Sequence, residues 1–362
     1  ATVVHSTAVN AGVRLMEPTL PRRAAAAYAP SVPRASLVLP TRNRSRVLAR
    51  TLAALTRQRE RDFEVVIADD GSDDDTPTVV RGFEDRLDLR YLRRAHRGIA
   101  AARSAAMRAA RGTILIQTDD DRVPAPDFVG DHLAAHADGT WVVAGHQRGL
   151  FAEWSVAAEL PAAAVAAVVA RDPALAAVLT APTAELITPE ALADDLDGAL
   201  ARLGVVEPWW DRHGGELVAR FGPTLDGYAF PWALAIGGNT SVPAALAASI
   251  GHLDEQFVGW GLEDTDFHFR LCQAGARVKV VPGAVSYHQL HRRGPELGRQ
   301  WLANAVRLLD KHAELALSSY VVAVLRQTPL LDASAVAMIA CAAAPEVQAE
   351  LVRCHRELVA GR

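Results

Sequence analysis

The densest run of potential ligands is Thr118-Asp119-Asp120-Asp121-Arg122, directly after the apolar stretch Thr113 to Gln117. Alternate carboxylates in a loop can hold a divalent ion and touch a sugar or ribose hydroxyl at once. Hard oxygen ligands of this type suit Mn²⁺ or Mg²⁺, ions that bridge phosphate oxygens. A solvated acidic turn capping the next helix is the other reading of the same residues. A second acidic strand end, Asp69-Asp70-Gly71-Ser72, lies in the same half of the chain after Val65-Val66-Ile67. A carboxylate there can accept a hydrogen bond from a nucleobase N–H, while Gly71 permits a tight turn. Asp-Gly turns also occur without any such task.

A further constellation is Gly259-Trp260-Gly261-Leu262-Glu263-Asp264. An aromatic ring between two glycines offers a platform for the apolar face of a sugar. The adjacent acids supply one carboxylate to position hydroxyls and another to act as general base. The same acids also suit the first turn of a helix carrying Phe267, Arg270 and Leu271, where the macrodipole favours negative charge and keeps a carboxyl pKa low. Arg103, flanked by Arg97 and Arg111, can neutralise a diphosphate or sit on a solvated helix face. His288 can add an imidazole to a metal site, with His291 and His252 as competitors for that role.

These residues need a frame. Ser36 to Leu39 reads as a short strand stopped by Pro40, and Ser45 as the cap of a helix whose apolar face carries Leu48, Leu52 and Leu55. Phe63 to Ala68, Asp88 to Leu92, Thr113 to Gln117 and Trp141 to Ala144 read as further strands, with Ile99 to Ala110 helical between them. Ala276 to Val281 reads as a strand ending at Pro282-Gly283. Strand–helix alternation of this kind predicts an α/β fold with a mostly parallel central sheet and helices on both faces. Ligands in such sheets bind at the C-terminal strand edge, where both acidic clusters fall. The expected divisions are an N-terminal arm at 1–33, a first α/β half at 34–149, an alanine-rich helical insertion at 150–235, a second half at 236–292 and a helical C-terminal region at 293–362.

The chain has 362 residues, half of them apolar, enough for one large domain or two modest ones. Its formal net charge of -4 gives no basic field for nucleic acid, so no nucleic-acid partner is expected. Cys272, Cys341 and Cys354 have no CxxC spacing and form no disulfide framework. The start lacks a signal-peptide pattern, and the stretch from Ala157 to Ala181 is broken by Pro161, Arg171, Asp172 and Pro173. A soluble, cytoplasmic protein without a transmembrane segment is the expectation, with the helical regions open to homo-oligomer formation. GxGxxG after the first strand, GxxxxGK[ST], HExxH and GxSxG are all missing, which argues against hydride-transferring and P-loop chemistry.

Taken in order, Pro40-Thr-Arg-Asn-Arg44, Val66 to Ser72, Gly98 to Ser104, Gln117 to Asp121, Gly259 to Asp264 and His288 resemble the family 2 glycosyltransferases of GT-A fold. The segment Gly237 to Pro243 through Leu271 is also similar to the acceptor-side region of β1,4-galactosyltransferases and of the GalNAc-transferring modules of chondroitin-type polymerases. The resemblance covers about 34 to 291. It implies an inverting hexosyltransferase that uses a UDP-sugar donor, Mn²⁺ or Mg²⁺, and a small-molecule, peptide or glycan acceptor. Thr41, Arg42, Asp69, Asp70, Arg103, Asp119 and Asp120 would form the donor site, with Asp121 and His288 on the metal. Trp260, Gly261, Glu263 and Asn239 would line the acceptor site, and Asp264 would be the base. Gln117-Thr118 departs from the hydrophobic pair usual before the acidic motif, which implies a modified sugar-facing pocket. A sugar nucleotidyltransferase, or a non-catalytic nucleotide-sugar-binding protein, is the alternative.

Overall fold

The structure, a computed structural model, describes residues 32–155, 162–207, 210–291 and 294–362. All belong to the compact unit Val32–Arg362. Apart from Val32 and Pro33, the expected N-terminal arm lies outside the described residues.

Alternating side chains sort the first strands onto two cores. Strands β1 (Ala35–Thr41), β2 (Phe63–Asp69), β3 (Leu89–Arg93) and β4 (Ile114–Thr118) pair in parallel in the order β3-β2-β1-β4. Leu37, Leu39, Val65, Ile67 and Ile116 point to one face, while Val38, Val66, Ala68 and Leu115 point to the other. Strands this apolar on both sides need cover on both sides. Helix α1 (Ser45–Leu55) covers the first face and α3 (Ile99–Ala109) the second. Ser45 does not cap α1. Its backbone N–H donates to Asp74 Oδ2 at 2.9 Å, so the capping carboxylate comes from the loop before α2 (Thr76–Arg81).

The sheet continues through strands of mixed direction: β5 (Arg122–Pro124), β6 (Trp141–Leu150), β9 (Gly204–Val206), β10 (Asn239–Pro243) and β11 (Arg277–Gln289). The full order is β3-β2-β1-β4-β10-β6-β11-β5, with β9 beside β6. β10 runs antiparallel between β4 and β6, whereas β6 and β11 are parallel. The α/β class is as expected, with parallel pairing among the first four strands and between β6 and β11, and antiparallel pairing elsewhere. β11 does not stop at Pro282. The register slips between Val281 and Val285, so the residue without an N–H sits in a bulge and the strand carries on to Gln289. That continuation carries His288 toward the acidic loop.

The stretch from 150 to 235 holds short helices, α5 (Ala162–Arg171), α6 (Leu175–Val178), α7 (Pro189–Asp194), α8 (Leu196–Leu203) and α9 (Gly215–Phe221). It also holds β9 and a ribbon of β7 (Glu153–Ser155) with β8 (Thr183–Glu185). Leu175, Leu192, Leu196 and Leu203 join the core above α1, so much of this region forms one layer of the fold. Buried Arg50 of α1 fastens it. Arg50 donates from Nε to the Ile187 carbonyl at 2.9 Å and from Nη2 to Glu153 Oε1 and Glu185 Oε1 at 2.8 and 2.5 Å.

After α4 (Phe128–Ala135) and α10 (Ala244–Ser249), helix α11 (Glu263–Gln273) packs on the second face. The C-terminal region is helical as expected: α12 (Leu297–Lys311), α13 (Leu315–Leu325), α14 (Leu330–Cys341) and α15 (Pro345–Ala360). Among the described residues, no helix is long and apolar enough to cross a membrane.

Candidate active site

The C-terminal ends of β1 and β4, the end of β11 and the N-terminus of α11 open onto one cavity of about 990 Å³. It brings together Thr41, Arg42, Asp70, Arg103, Asp119, Asp120, Asp121, Trp260, Gly261, Glu263, Asp264 and His288. Asp69 and Asn239 do not line it. Asp69 is fully buried and accepts from the Ser72 N–H at 2.8 Å and from the Tyr91 hydroxyl. Asn239 sits inside the sheet between His132, the His146 carbonyl and the Ala284 carbonyl, at 2.9, 2.9 and 3.0 Å. Gln117 and Thr118 also stay outside the cavity. Gln117 Nε2 contacts Thr240 Oγ1 at 2.8 Å and His268 Nε2 at 3.0 Å, so this unusual pair shapes the sheet interior rather than a sugar pocket.

At one end of the cavity the acidic loop is fixed by its neighbours. Thr41 Oγ1 donates to Asp120 Oδ2 at 2.7 Å, and Thr51 Oγ1 to the Asp120 carbonyl at 2.7 Å. Burial pushes the Asp120 carboxyl up to about 7 against the pull of Arg44. Burial acts the same way on Asp121, but His288, His291 and Arg44 outweigh it and hold that carboxyl well below its ordinary value. His288 Nε2 and His291 Nε2 lie 3.3 and 3.2 Å from Asp121 Oδ2. Burial lowers the His288 pKa despite Asp121, favouring the neutral imidazole that binds metals. Potential ligand atoms of Asp121, His288 and His291 lie within 4.8 Å of one another. One carboxylate with two imidazoles fits a first-row divalent ion such as Mn²⁺, and His291 joins His288 where only one histidine was expected. His252 lies elsewhere, its carbonyl accepting from Arg270.

Basic groups surround this end. Arg42 Nη1 meets His96 Nε2 at 3.0 Å, and His96 Nδ1 meets Asp70 Oδ2 at 2.6 Å. Asp70 also accepts the N–H groups of Arg97 and Gly98, both at 2.8 Å, which fixes the turn into α3. Its oxygens therefore organise the cavity wall.

Across the cavity, Gly259 and Gly261 adopt φ of 81° and 99°, conformations that disfavour side chains. They set Trp260 at the rim with 40% of its surface exposed. Helix α12 steadies the turn: Gln300 Oε1 accepts the Trp260 N–H at 2.9 Å, and Asn304 Nδ2 donates to the Gly261 carbonyl at 2.8 Å. A Cβ on Gly261 would sit 2.8 Å from Trp301 Cδ1. These α12 contacts carry no motif and had no signal in the sequence.

Glu263 and Asp264 open α11. Asp264 Oδ2 accepts the Gly237 N–H at 2.9 Å and Oδ1 the Thr265 N–H at 2.7 Å. The helix dipole does not keep these acids low. Burial and mutual repulsion push Glu263 up to about 7, and burial raises Asp264 despite its N–H donors. Buried Arg103 links the two ends, pairing with Asp119 and lying 3.8 Å from Glu263 Oε1. Its guanidinium is thus engaged by carboxylates instead of projecting toward a phosphate. Gly237 permits this approach, since a Cβ there would lie 2.9 Å from Arg103 Nη1.

The α/β sheet with this cavity at its strand ends is a fold shared with solved GT-A glycosyltransferases. Residues 36–158 match the family described as Glycosyl transferase family 2, and 224–292 match the N-terminal domain of galactosyltransferase. The uncharacterized glycosyltransferase YfnE of Bacillus subtilis (strain 168) is 30% identical over 77% of this chain and 70% of its own. The validoxylamine A glucosyltransferase of Streptomyces hygroscopicus subsp. jinggangensis (strain 5008) is 32% identical over 78% of this chain, which spans 62% of that protein. Among solved structures, the Pyrobaculum calidifontis mannosyltransferase PcManGT, in complex with GDP-Man and Mn²⁺, shares the fold at TM-score 0.52 and 20% identity, covering 91% of this chain and 84% of its own. The chain belongs to glycosyltransferase family 2.

Proposed function

We propose that the protein transfers a hexose or N-acetylhexosamine from a UDP-sugar to an acceptor hydroxyl by single displacement, with inversion at the transferred carbon. The observation that carries this reading is the polarity of the cavity. Acids, imidazoles and arginines gather at one end, and the carboxylates of Glu263 and Asp264 line the cavity with Trp260 at the other.

Thr41, Arg42, Asp70, Asp119 and Asp120 line the donor end, and Asp121, His288 and His291 would hold a divalent ion there. Two imidazoles make this set softer than an all-oxygen site and favour Mn²⁺ over Mg²⁺. When bound, the ion supplies positive charge against the diphosphate leaving group. Asp264 removes the proton from the acceptor hydroxyl, whose oxygen attacks the anomeric carbon opposite the diphosphate. Its raised pKa suits a base working near neutrality, and the N–H groups of Gly237 and Thr265 hold its orientation. Glu263 positions a hydroxyl, and Trp260 offers its ring to the acceptor. The acceptor remains any small molecule, peptide or glycan bearing a reachable hydroxyl.

A thermal-shift panel of UDP- and GDP-sugars, with and without Mn²⁺, tests the donor assignment, since binding stabilises the folded state by mass action. A UDP-sugar should raise Tm most, and more so with Mn²⁺. A GDP-sugar winning the panel overturns the nucleotide assignment. Product of retained anomeric configuration by NMR overturns the displacement.

A further inference from the structure

Asp121 Oδ2 is a crowded atom. Besides the two imidazoles, Arg44 Nη2 lies 3.0 Å from it, while Arg44 Nη1 lies 3.1 Å from Asp120 Oδ1. One guanidinium therefore spans both carboxylates. A cation held by Asp121, His288 and His291 needs lone pairs at the same carboxylate, and it would be repelled by a guanidinium in this place.

The backbone under Arg44 is pinned. The Asn43 N–H donates to Ser72 Oγ at 2.9 Å, and the Asp73 N–H to Asn43 Oδ1 at 2.8 Å. The Ser45 N–H on the other side donates to Asp74 Oδ2 at 2.9 Å. Any movement thus belongs to the side chain, which is 31% exposed and lines the open cavity. Arg44 precedes α1, and its side chain meets the acidic loop from within the cavity lining.

Resting on the metal-dependent reading above, we propose that Arg44 is the resident counter-ion of Asp120 and Asp121, which a divalent cation must displace. The donor diphosphate assists by giving the guanidinium an alternative bidentate partner. Cation and nucleotide binding are then coupled through one side chain: each removes a cost the other would otherwise meet. The cation alone binds weakly, which disfavours loading before the donor arrives.

Mn²⁺ binding, read from the electron paramagnetic resonance signal of the free ion, tests this in the wild type, Arg44→Met and Arg44→Lys. The wild type should bind Mn²⁺ weakly alone and more tightly with UDP. Arg44→Met should bind Mn²⁺ alone about tenfold more tightly than wild type, within the range usual for site coupling, and gain less from UDP. Arg44→Lys should fall between them, because an ammonium cannot span two carboxylates as a guanidinium does.

Unchanged or weaker Mn²⁺ binding in Arg44→Met overturns the proposal while leaving the metal site intact. Tighter binding in Arg44→Met with Arg44→Lys equal to wild type also overturns it, since net charge rather than bridging would then be responsible. An absence of Mn²⁺ binding in all three, with or without UDP, defeats the metal-dependent reading itself and this proposal with it. Circular dichroism of the variants checks that each is folded.

Discussion

The two ends of the cavity are built in different ways. At the proposed donor end, Thr41, Asp70 and Asp119 to Asp121 meet because β1, β2 and β4 are adjacent, and His288 and His291 join them from the end of β11. At the proposed acceptor end, Gly237, the Trp260–Asp264 turn and Gln300 arrive from three separate segments, and backbone N–H groups donating to side chains join them. A strand edge collects ligands through its topology alone. The acceptor end depends on how α11 and α12 pack, and small changes there should alter acceptor use without disturbing the nucleotide.

The largest test of that contrast is Asp264→Asn. Loss of a general base costs on the order of 10²–10⁴ in rate, so kcat should fall at least about a hundredfold while UDP affinity is kept. Full turnover in this variant removes Asp264 from the mechanism. Next is Arg50→Met, which leaves Glu153 and Glu185 without their buried partner. Because both glutamates keep contact with water, a loss of about 2–3 kcal/mol is expected, below the usual cost of breaking a buried pair. Urea unfolding that matches the wild type would show that the 150–235 layer is held without Arg50.

The pH profile separates the ends further. The base must be ionised, and burial raises both Asp264 and Glu263, the latter to about 7. The acid limb of the rate should therefore lie above the ordinary aspartate range, with a fall of roughly tenfold per unit once the coupled pair is protonated. An acid limb near pH 4 would mean that the acids are far better solvated than their burial indicates.

Gly261→Ala probes the rim. Its positive φ and the nearness of Trp301 should strain the turn by about 1–3 kcal/mol and raise the acceptor KM several-fold at constant donor KM. A parallel rise in donor KM would join the two ends into one unit. The smallest effect is expected of Asp69→Asn. Loss of a charge-assisted bond from Tyr91 should cost about 1–2 kcal/mol of stability, seen as a lower Tm, with donor KM unchanged. A raised donor KM would return Asp69 to the nucleotide site.

Much of this was legible in the chain. Apolar runs ending in Asp69-Asp70 and Asp119 to Asp121 place acids at strand ends, and the glycines around Trp260 announce an unusual turn. Sequence gave no means of separating Asp69 from Asp70, since neighbouring residues on a strand end face opposite ways and only their partners show which reaches the cavity. His288 and His291 were both visible, but their convergence on Asp121 required β11 to continue past Pro282-Gly283 through a bulge. Gln117 and Asn239 looked chemical because polar residues near a site do, yet both satisfy buried polar neighbours across β4, β6 and β10.

Sequence by itself determined the class of chemistry. Residue types at strand ends and in glycine-bracketed turns are local properties, and local patterns are written in consecutive letters. Tertiary structure decided which charges face one another. Arg44 lies across Asp120 and Asp121, Arg103 joins Asp119 to Glu263, and Arg50 fastens a layer more than a hundred residues away. Electrostatic partnership depends on distance and burial in space, and neither is encoded at any single position.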